Sequence, residues 1–318
     1  MAVAQSICDG ESCGTREWPS NARELATSGA GGEVRWDPWD DALVRLLARE
    51  RLAHRLPLGL RQLAERFAYG ILGLLFPHFA MPDDAVDGLA DEVSILTGVL
   101  EQALTGRSGT AENRAAAVAA VEELFRRLGP IREALLMDAR AIYEGDPAAR
   151  SVDEVIVAYP GFVAIAVYRI AHELHPHAPL FARLLTEVAH SSTGIDVHPG
   201  ARVGPSFAID HGTGIVIGET AVLGTRVRLY QGVTLGAARV NKRLQSVKRH
   251  PTIGDHVVIY ANATILGGDT VIGHGSRIGG NVWLTRSVPP YSVVTPTARV
   301  ERRVGDSPSS DDLLEFNI

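Results

Sequence analysis

Between Val197 and Leu284 an aliphatic residue recurs at every sixth position, almost without a break. Val197, Val203, Ile209 and Ile215 form one series, and Ile217, Leu223, Leu229 and Leu235 form a second, displaced by two residues. Ile253, Ile259 and Ile265 form a third, and Ile272, Ile278 and Leu284 a fourth. A period of six matches neither the 3.6 of an amphipathic helix nor the 2.0 of a half-buried strand. It is the pattern of a β-helix built from hexapeptide repeats, in which three short strands and three corners make each coil. No coil can bury its apolar residues alone, so the inward positions must stack into one continuous core. Gly204, Gly218, Gly224, Gly236, Gly254, Gly273 and Gly279 each follow an inward position, where the backbone is crowded.

The rest of the chain reads as helix and connection. Residues 1–37 are small and polar and are expected to form a disordered leader. Residues 38–192 are expected to form an all-α domain, giving a two-part α+β chain. Leu43, Leu46 and Leu47 share one helical face; so do Val93, Leu96, Leu100, Ala103 and Leu104, and again Val118, Val121, Leu124, Phe125 and Leu128. Gly129-Pro130 is expected to break that last helix, with a new one over Ile131–Tyr143. Glu144-Gly145-Asp146-Pro147 reads as a turn in which Asp146 caps a helix started by Pro147. Further helices are expected over Gly161–Leu174 and Leu180–His190. The β-helix occupies residues 193–296, interrupted at 238–251 by a polar excursion loop, and residues 297–318 form a flexible tail.

A net charge of −6 argues against a nucleic-acid surface as the main function. No apolar run reaches the length of about 18 residues that a membrane helix needs, and no basic segment followed by an apolar core suggests a signal peptide. The cysteines, Cys8 and Cys13, lie in the leader with no second pair to complete a metal site. A cytoplasmic protein fits these features.

Polar groups interrupt the repeat at few places. Asp210-His211 follows inward Ile209 at a corner, with Asp196 and His198 earlier in the same coil. If Asp196 meets His211, it would orient an imidazole acting as general base; spacing alone equally allows both to satisfy corner amides. Lys248-Arg249-His250 ends the excursion loop, where a basic cluster suits a carboxylate or phosphate, or simply solvent. His256 and His274 read as surface groups, and His172, His175, His177 and His190 as helix-surface or capping groups. No compact spacing of metal ligands stands out, so no metal is expected.

The elements Asp146-Pro147-Ala148, Asp196-Val197-His198-Pro199, Asp210-His211 with Gly212-Thr213-Gly214-Ile215-Val216-Ile217-Gly218-Glu219-Thr220-Ala221, and Arg249-His250-Pro251 resemble serine O-acetyltransferase. The resemblance covers roughly residues 40 to 296. It implies a left-handed β-helix, three subunits packed side by side with active sites between neighbours, and helical domains that pair trimers into hexamers. It implies His211 as general base and Asp196 as its orienting partner. Asp146 and Asp210 would meet the ammonium and hydroxyl of L-serine, and Arg249 and His250 its carboxylate. Acetyl-CoA is the implied co-substrate, its pantetheine arm lying against backbone near Ala237, Ala261 and Gly280. Lys242, Arg243, Lys248 and Arg249 would either meet its phosphates or lie in solvent. The terminal Ile318 implies capture of the tail by O-acetylserine sulfhydrylase, the cysteine synthase that acts next, and cysteine is the implied feedback inhibitor.

Overall fold

A computed structural model describes residues 43–47, 49–50, 59–80, 89–105, 111–239 and 247–296. The leader and tail therefore lie outside the described residues. Residues 43–47 and 49–50 are helical and belong to a compact unit of their own, Met1–His54, in which Leu43, Leu46 and Leu47 are exposed.

Among its described residues the second unit begins with six α-helices: α1 (Leu60–Leu75), α2 (Leu89–Thr105), α3 (Ala111–Gly145), α4 (Val152–Ala158), α5 (Pro160–Leu174) and α6 (Pro179–Thr193). In α1 the buried residues are Ala64, Phe67, Ala68, Ile71, Leu72 and Leu75, a single stripe at helical spacing. Proline opens both α5 and α6, at the position where a missing N–H costs nothing. Gly194, in the left-handed conformation, closes α6. No single helix among the described residues is long and apolar enough to cross a membrane.

Two helical expectations are corrected. Gly129-Pro130 does not break the chain: α3 runs through Pro130 without interruption. Proline removes one backbone donor, but Gly129 and Pro130 are exposed, while Leu128, Ile131 and Leu135 continue the buried stripe across them. Asp146 does not cap a helix either. Its Oδ1 accepts the N–H of Ala148 at 2.8 Å, closing a local turn, and the helix starts later with Ser151 accepting from the N–H of Glu154.

The chain then winds into a parallel β-solenoid of about five turns, the architecture of a left-handed β-helix. Its strands form three parallel sheets. Sheet A contains β1 (Asp196–Val197), β4 (Val216–Ile217), β7 (Thr234–Gly236), β10 (Thr264–Leu266) and β13 (Trp283–Leu284). Sheet B contains β2 (Arg202–Val203), β5 (Val222–Leu223), β8 (Thr252–Ile253) and β11 (Val271–Ile272). Sheet C contains β3 (Ala208–Asp210), β6 (Arg228–Tyr230), β9 (Val258–Ile259), β12 (Arg277–Ile278) and β14 (Val293–Val294). The period-six aliphatics pair in register, Val197 on Ile217, Ile217 on Leu235 and Leu235 on Ile265. Burying each such side chain contributes about 1.5–3 kcal/mol. At the corner from sheet B to sheet C there is no room for a side chain: a Cβ on Gly204 would lie 2.6 Å from the carbonyl oxygen of Gly224.

Helices and solenoid share one apolar core, and a buried ion pair fastens them. Asp138 of α3 is fully buried, and Arg169 of α5 grips it through Nε at 2.5 Å and Nη2 at 2.9 Å. The same guanidinium donates to the carbonyl of Gly204 at 2.9 Å, and Asp138 accepts the N–H of Phe207 at 2.8 Å. Burial pushes the Asp138 carboxyl upward, and the arginine opposes that shift. Removing one partner of such a pair strands a buried charge, so Arg169→Met is expected to destabilise the fold by about 3–5 kcal/mol. Chemical denaturation checks this; a loss under about 1 kcal/mol would show that the pair does not hold the junction.

Candidate active site

The corner between β3 and β4 holds two residues more than the next corner of its kind, because Val197 stacks on Ile217 whereas Ile217 stacks on Leu235. The extra length forms Asp210-His211-Gly212-Thr213-Gly214, with φ of 57° at His211, 89° at Gly212 and 81° at Gly214. A Cβ on Gly212 would fall 2.4 Å from Ile195, so only glycine fits there. The bulged corner lifts the His211 side chain to 74% exposure, with Nε2 3.8 Å from Asp210 Oδ1. That is an ion-pair distance, too long for a hydrogen bond.

The start of α5 docks on the same corner. Gly161 allows it, since a Cβ there would meet the carbonyl oxygen of Ile209 at 2.4 Å. Just before it, the Tyr159 hydroxyl donates to Asp146 Oδ2 at 2.6 Å. This bond first, and the Ala148 N–H second, hold the Asp146 carboxyl below its ordinary range; His211 and Arg228 add smaller contributions in the same direction. The tyrosine in turn is pushed up to about 12 by that carboxylate. Asp146, Tyr159, Asp210 and His211 thus converge at one end of sheet A.

Arg249 and His250 lie at its other end, beside the corner after β4. Arg249 is ion-paired with Glu219. His250 is buried, and its Nδ1 accepts the N–H of Thr220 at 3.0 Å. Burial, then the neighbouring Arg249, pushes the imidazole down to about 4. Lys248 Nζ is tied to the carbonyls of Thr220 and His250, at 3.0 Å and 2.9 Å. Lys242 and Arg243 lie outside the described residues. Residues 215–218 run extended between the two corners, and at about 3.3 Å per extended residue they set the corners on the order of 13 Å apart. One chain does not bring these two groups together.

Other expected positions fall differently. Asp196 does not pair with His211: Arg183 of α6 donates to its Oδ1 at 2.7 Å and bonds Glu187 as well. The cation from the preceding helix takes the carboxylate before the imidazole can. Ala261 and Gly280 stack at the His211 end of sheet A, where the Ala261 carbonyl accepts the Asn281 N–H at 2.9 Å; Ala237 follows β7 at the opposite end. His256 and His274 are exposed, as their spacing suggests.

The helix histidines are less bland. His172 Nδ1 donates to the carbonyl of Pro199 at 2.7 Å, and the His175 ring meets His198 edge-on at 5.6 Å. The potential ligand atoms of His175, His198 and Glu219 lie within 4.8 Å of one another, a compact grouping that spacing does not reveal. Two are already engaged, since His198 Nδ1 accepts the Gly200 N–H at 3.0 Å and Glu219 binds Arg249. Tyr159, Thr220, Glu219 and Arg183 are the site residues to which sequence reasoning assigned no role.

No protein-family model matches the chain. A plasmid-encoded serine acetyltransferase of Synechococcus elongatus is 42% identical over 287 residues, covering 80% of this chain and 90% of that protein. The chain belongs to the serine acetyltransferase family. The Bacillus subtilis serine acetyltransferase is 47% identical over 158 residues, 49% of this chain and 70% of its own length. Among solved structures, serine acetyltransferase isoform 3 of Entamoeba histolytica in complex with cysteine superposes with a TM-score of 0.68 at 37% identity, covering 76% of this chain and 84% of that one. The Neisseria gonorrhoeae serine acetyltransferase in complex with serine gives 0.52 at 29% identity, over 81% and 88% of the two chains.

In this member of the family the Tyr159 bond has a direct signature. A carboxyl group held low by a donated hydrogen bond rises when the donor goes. In Tyr159→Phe, the Asp146 carboxyl carbon, followed by NMR, is expected to titrate at higher pH than in the parent. An unchanged titration would show that the hydroxyl does not hold it.

Proposed function

We propose that the protein transfers the acetyl group of acetyl-CoA to the hydroxyl of L-serine, giving O-acetylserine and CoA, with His211 as general base. The observation that carries this reading is the bulged Asp210-His211 corner, which presents an exposed imidazole beside the tethered carboxylate of Asp146 in a chain of this family.

The groups fit the reaction. Asp146 and Asp210 offer two carboxylates to an ammonium group. The serine hydroxyl then lies against His211, which takes its proton as the oxygen attacks the thioester carbonyl. The new C–O bond gives a tetrahedral oxyanion, whose collapse breaks the C–S bond and releases the thiol with the proton that the imidazole took. No covalent enzyme intermediate is needed. Asp196 contributes through Arg183 and the start of β1, as a support of the His211 corner.

Arg249 and His250 are the groups suited to the serine carboxylate. Because they sit at the opposite end of sheet A, they would come from a neighbouring subunit of a side-by-side trimer. Acetyl-CoA would run along the groove between solenoids, past Ala261 and Gly280 of one chain and Ala237 of the next. Pairing of trimers through the helices, tail capture by O-acetylserine sulfhydrylase through Ile318, and feedback by cysteine complete the reading; Ile318 lies outside the described residues.

Loss of a general base costs about 10²–10⁴-fold in rate. His211→Ala is therefore expected to lower kcat for L-serine-dependent thiol release by that factor, with assembly size unchanged. Activity within a few-fold of the parent would remove His211 from the mechanism.

A further inference from the structure

Thr220 makes five polar contacts with the end of the excursion loop, one through its carbonyl to Lys248 and four through its hydroxyl and N–H. Its Oγ1 accepts the N–H of Arg249 at 2.9 Å and the N–H of His250 at 3.1 Å, and lies 2.9 Å from His250 Nδ1. Its own N–H donates to the same Nδ1 at 3.0 Å. A hydroxyl has two lone pairs and one hydrogen. Both lone pairs are used on backbone donors, which leaves the hydrogen to point at Nδ1. A backbone N–H can only donate, so Nδ1 must be the unprotonated nitrogen, and the neutral ring carries its hydrogen on Nε2.

We propose that Thr220 is the positioning residue for substrate carboxylate recognition: it fixes the backbone of Arg249 and His250 and selects the His250 tautomer that presents Nε2–H as a donor. The proposal rests on the reading that Arg249 and His250 receive the serine carboxylate. Three features support it. Nε2 lies over Gly218, where a Cβ would be 2.1 Å away, and no hydrogen bond within the described residues uses it. Gly268 closes the loop end from the other side: a Cβ there would lie 2.2 Å from the carbonyl oxygen of Lys248 and 3.0 Å from the N–H nitrogen of Arg249. Burial, with Arg249 alongside, keeps the ring neutral down to about pH 4, so the Nε2–H donor persists across the neutral range. The opposite tautomer would turn a lone pair toward an anion and repel it.

The test uses the full-length protein with L-serine and acetyl-CoA. Thr220→Val removes the hydroxyl at nearly constant volume, and Thr220→Ser keeps it. Loss of hydrogen bonds that orient a charged contact is expected to raise the KM for serine about ten-fold or more in Thr220→Val, with kcat and the KM for acetyl-CoA within about three-fold of the parent. Thr220→Ser is expected to stay within about three-fold throughout. An unchanged serine KM in a correctly assembled Thr220→Val, or a serine variant as impaired as valine, would overturn the proposal. Nitrogen NMR of histidine-labelled parent protein, assigned with His250→Gln, tests the tautomer separately and does not depend on how a variant folds. A protonated Nε2 with a bare Nδ1 supports the proposal, and a protonated Nδ1 overturns it. Arg249→Ala serves as the control: if it leaves the serine KM unchanged, the carboxylate-site reading fails instead, whatever the tautomer shows.

Discussion

The solenoid works only if each coil sets its inward aliphatic residue on that of the coil before it, and every other feature of the chain accommodates that constraint. A residue added inside a strand would rotate the next strand's side chains to the wrong face. Additional residues can therefore leave only at corners. Among the described coils they do so between β3 and β4, between β7 and β8, and between β10 and β11, as the offsets from Val197 to Ile217, Leu223 to Ile253 and Ile253 to Ile272 record. The first excess carries Asp210-His211. The second ends in Arg249-His250. The third supplies Gly268, the glycine that packs beneath the end of the second.

The groups so placed are held before any substrate arrives. Asp146 is tied by Tyr159, Arg249 by Glu219, and His250 by Thr220. Fixed dipoles and charges need no reorganisation when the reaction starts, which is the main way a site of this kind lowers a barrier. The helical half serves the same end. Helix α3 is pinned to the first coil through Asp138 and ends in the turn that carries Asp146. The buried ion pair therefore sets where that carboxylate stands relative to β3.

The legible part of this chain was the part with a period. Inward aliphatics at every sixth residue carry the solenoid, and the two-residue shift between Ile215 and Ile217 already marks the bulged corner. Gly129-Pro130 misleads because proline disfavours a helix interior locally, whereas the buried stripe through Leu128, Ile131 and Leu135 outweighs one lost donor. Asp146 reads as a cap because Asp-Pro is the usual start of a helix; its second partner, Tyr159, comes from a later segment. Asp196 reads as a partner for His211 because Arg183 lies on a helix whose docking the sequence does not specify. The grouping of His175, His198 and Glu219 was hidden for the same reason, since the three residues lie just past the ends of α5, β1 and β4.

In the proposed arrangement a working site takes its base from one chain and its carboxylate-binding half from another. Mixing subunits tests it most directly. His211→Ala, which lacks the base, and His250→Ala, which binds serine weakly, are co-expressed with different tags, and the mixed assemblies are isolated through both tags and assayed for thiol release at L-serine well below the KM of His250→Ala, where each variant alone is strongly impaired. If neighbouring chains complete each site, one site in three of a mixed trimer, and about one in four when trimers pair, has both halves intact, and activity returns to about a quarter to a third of the parent level. If both halves come from the same chain, every site carries one defect, and the mixed assemblies stay as inactive as either variant.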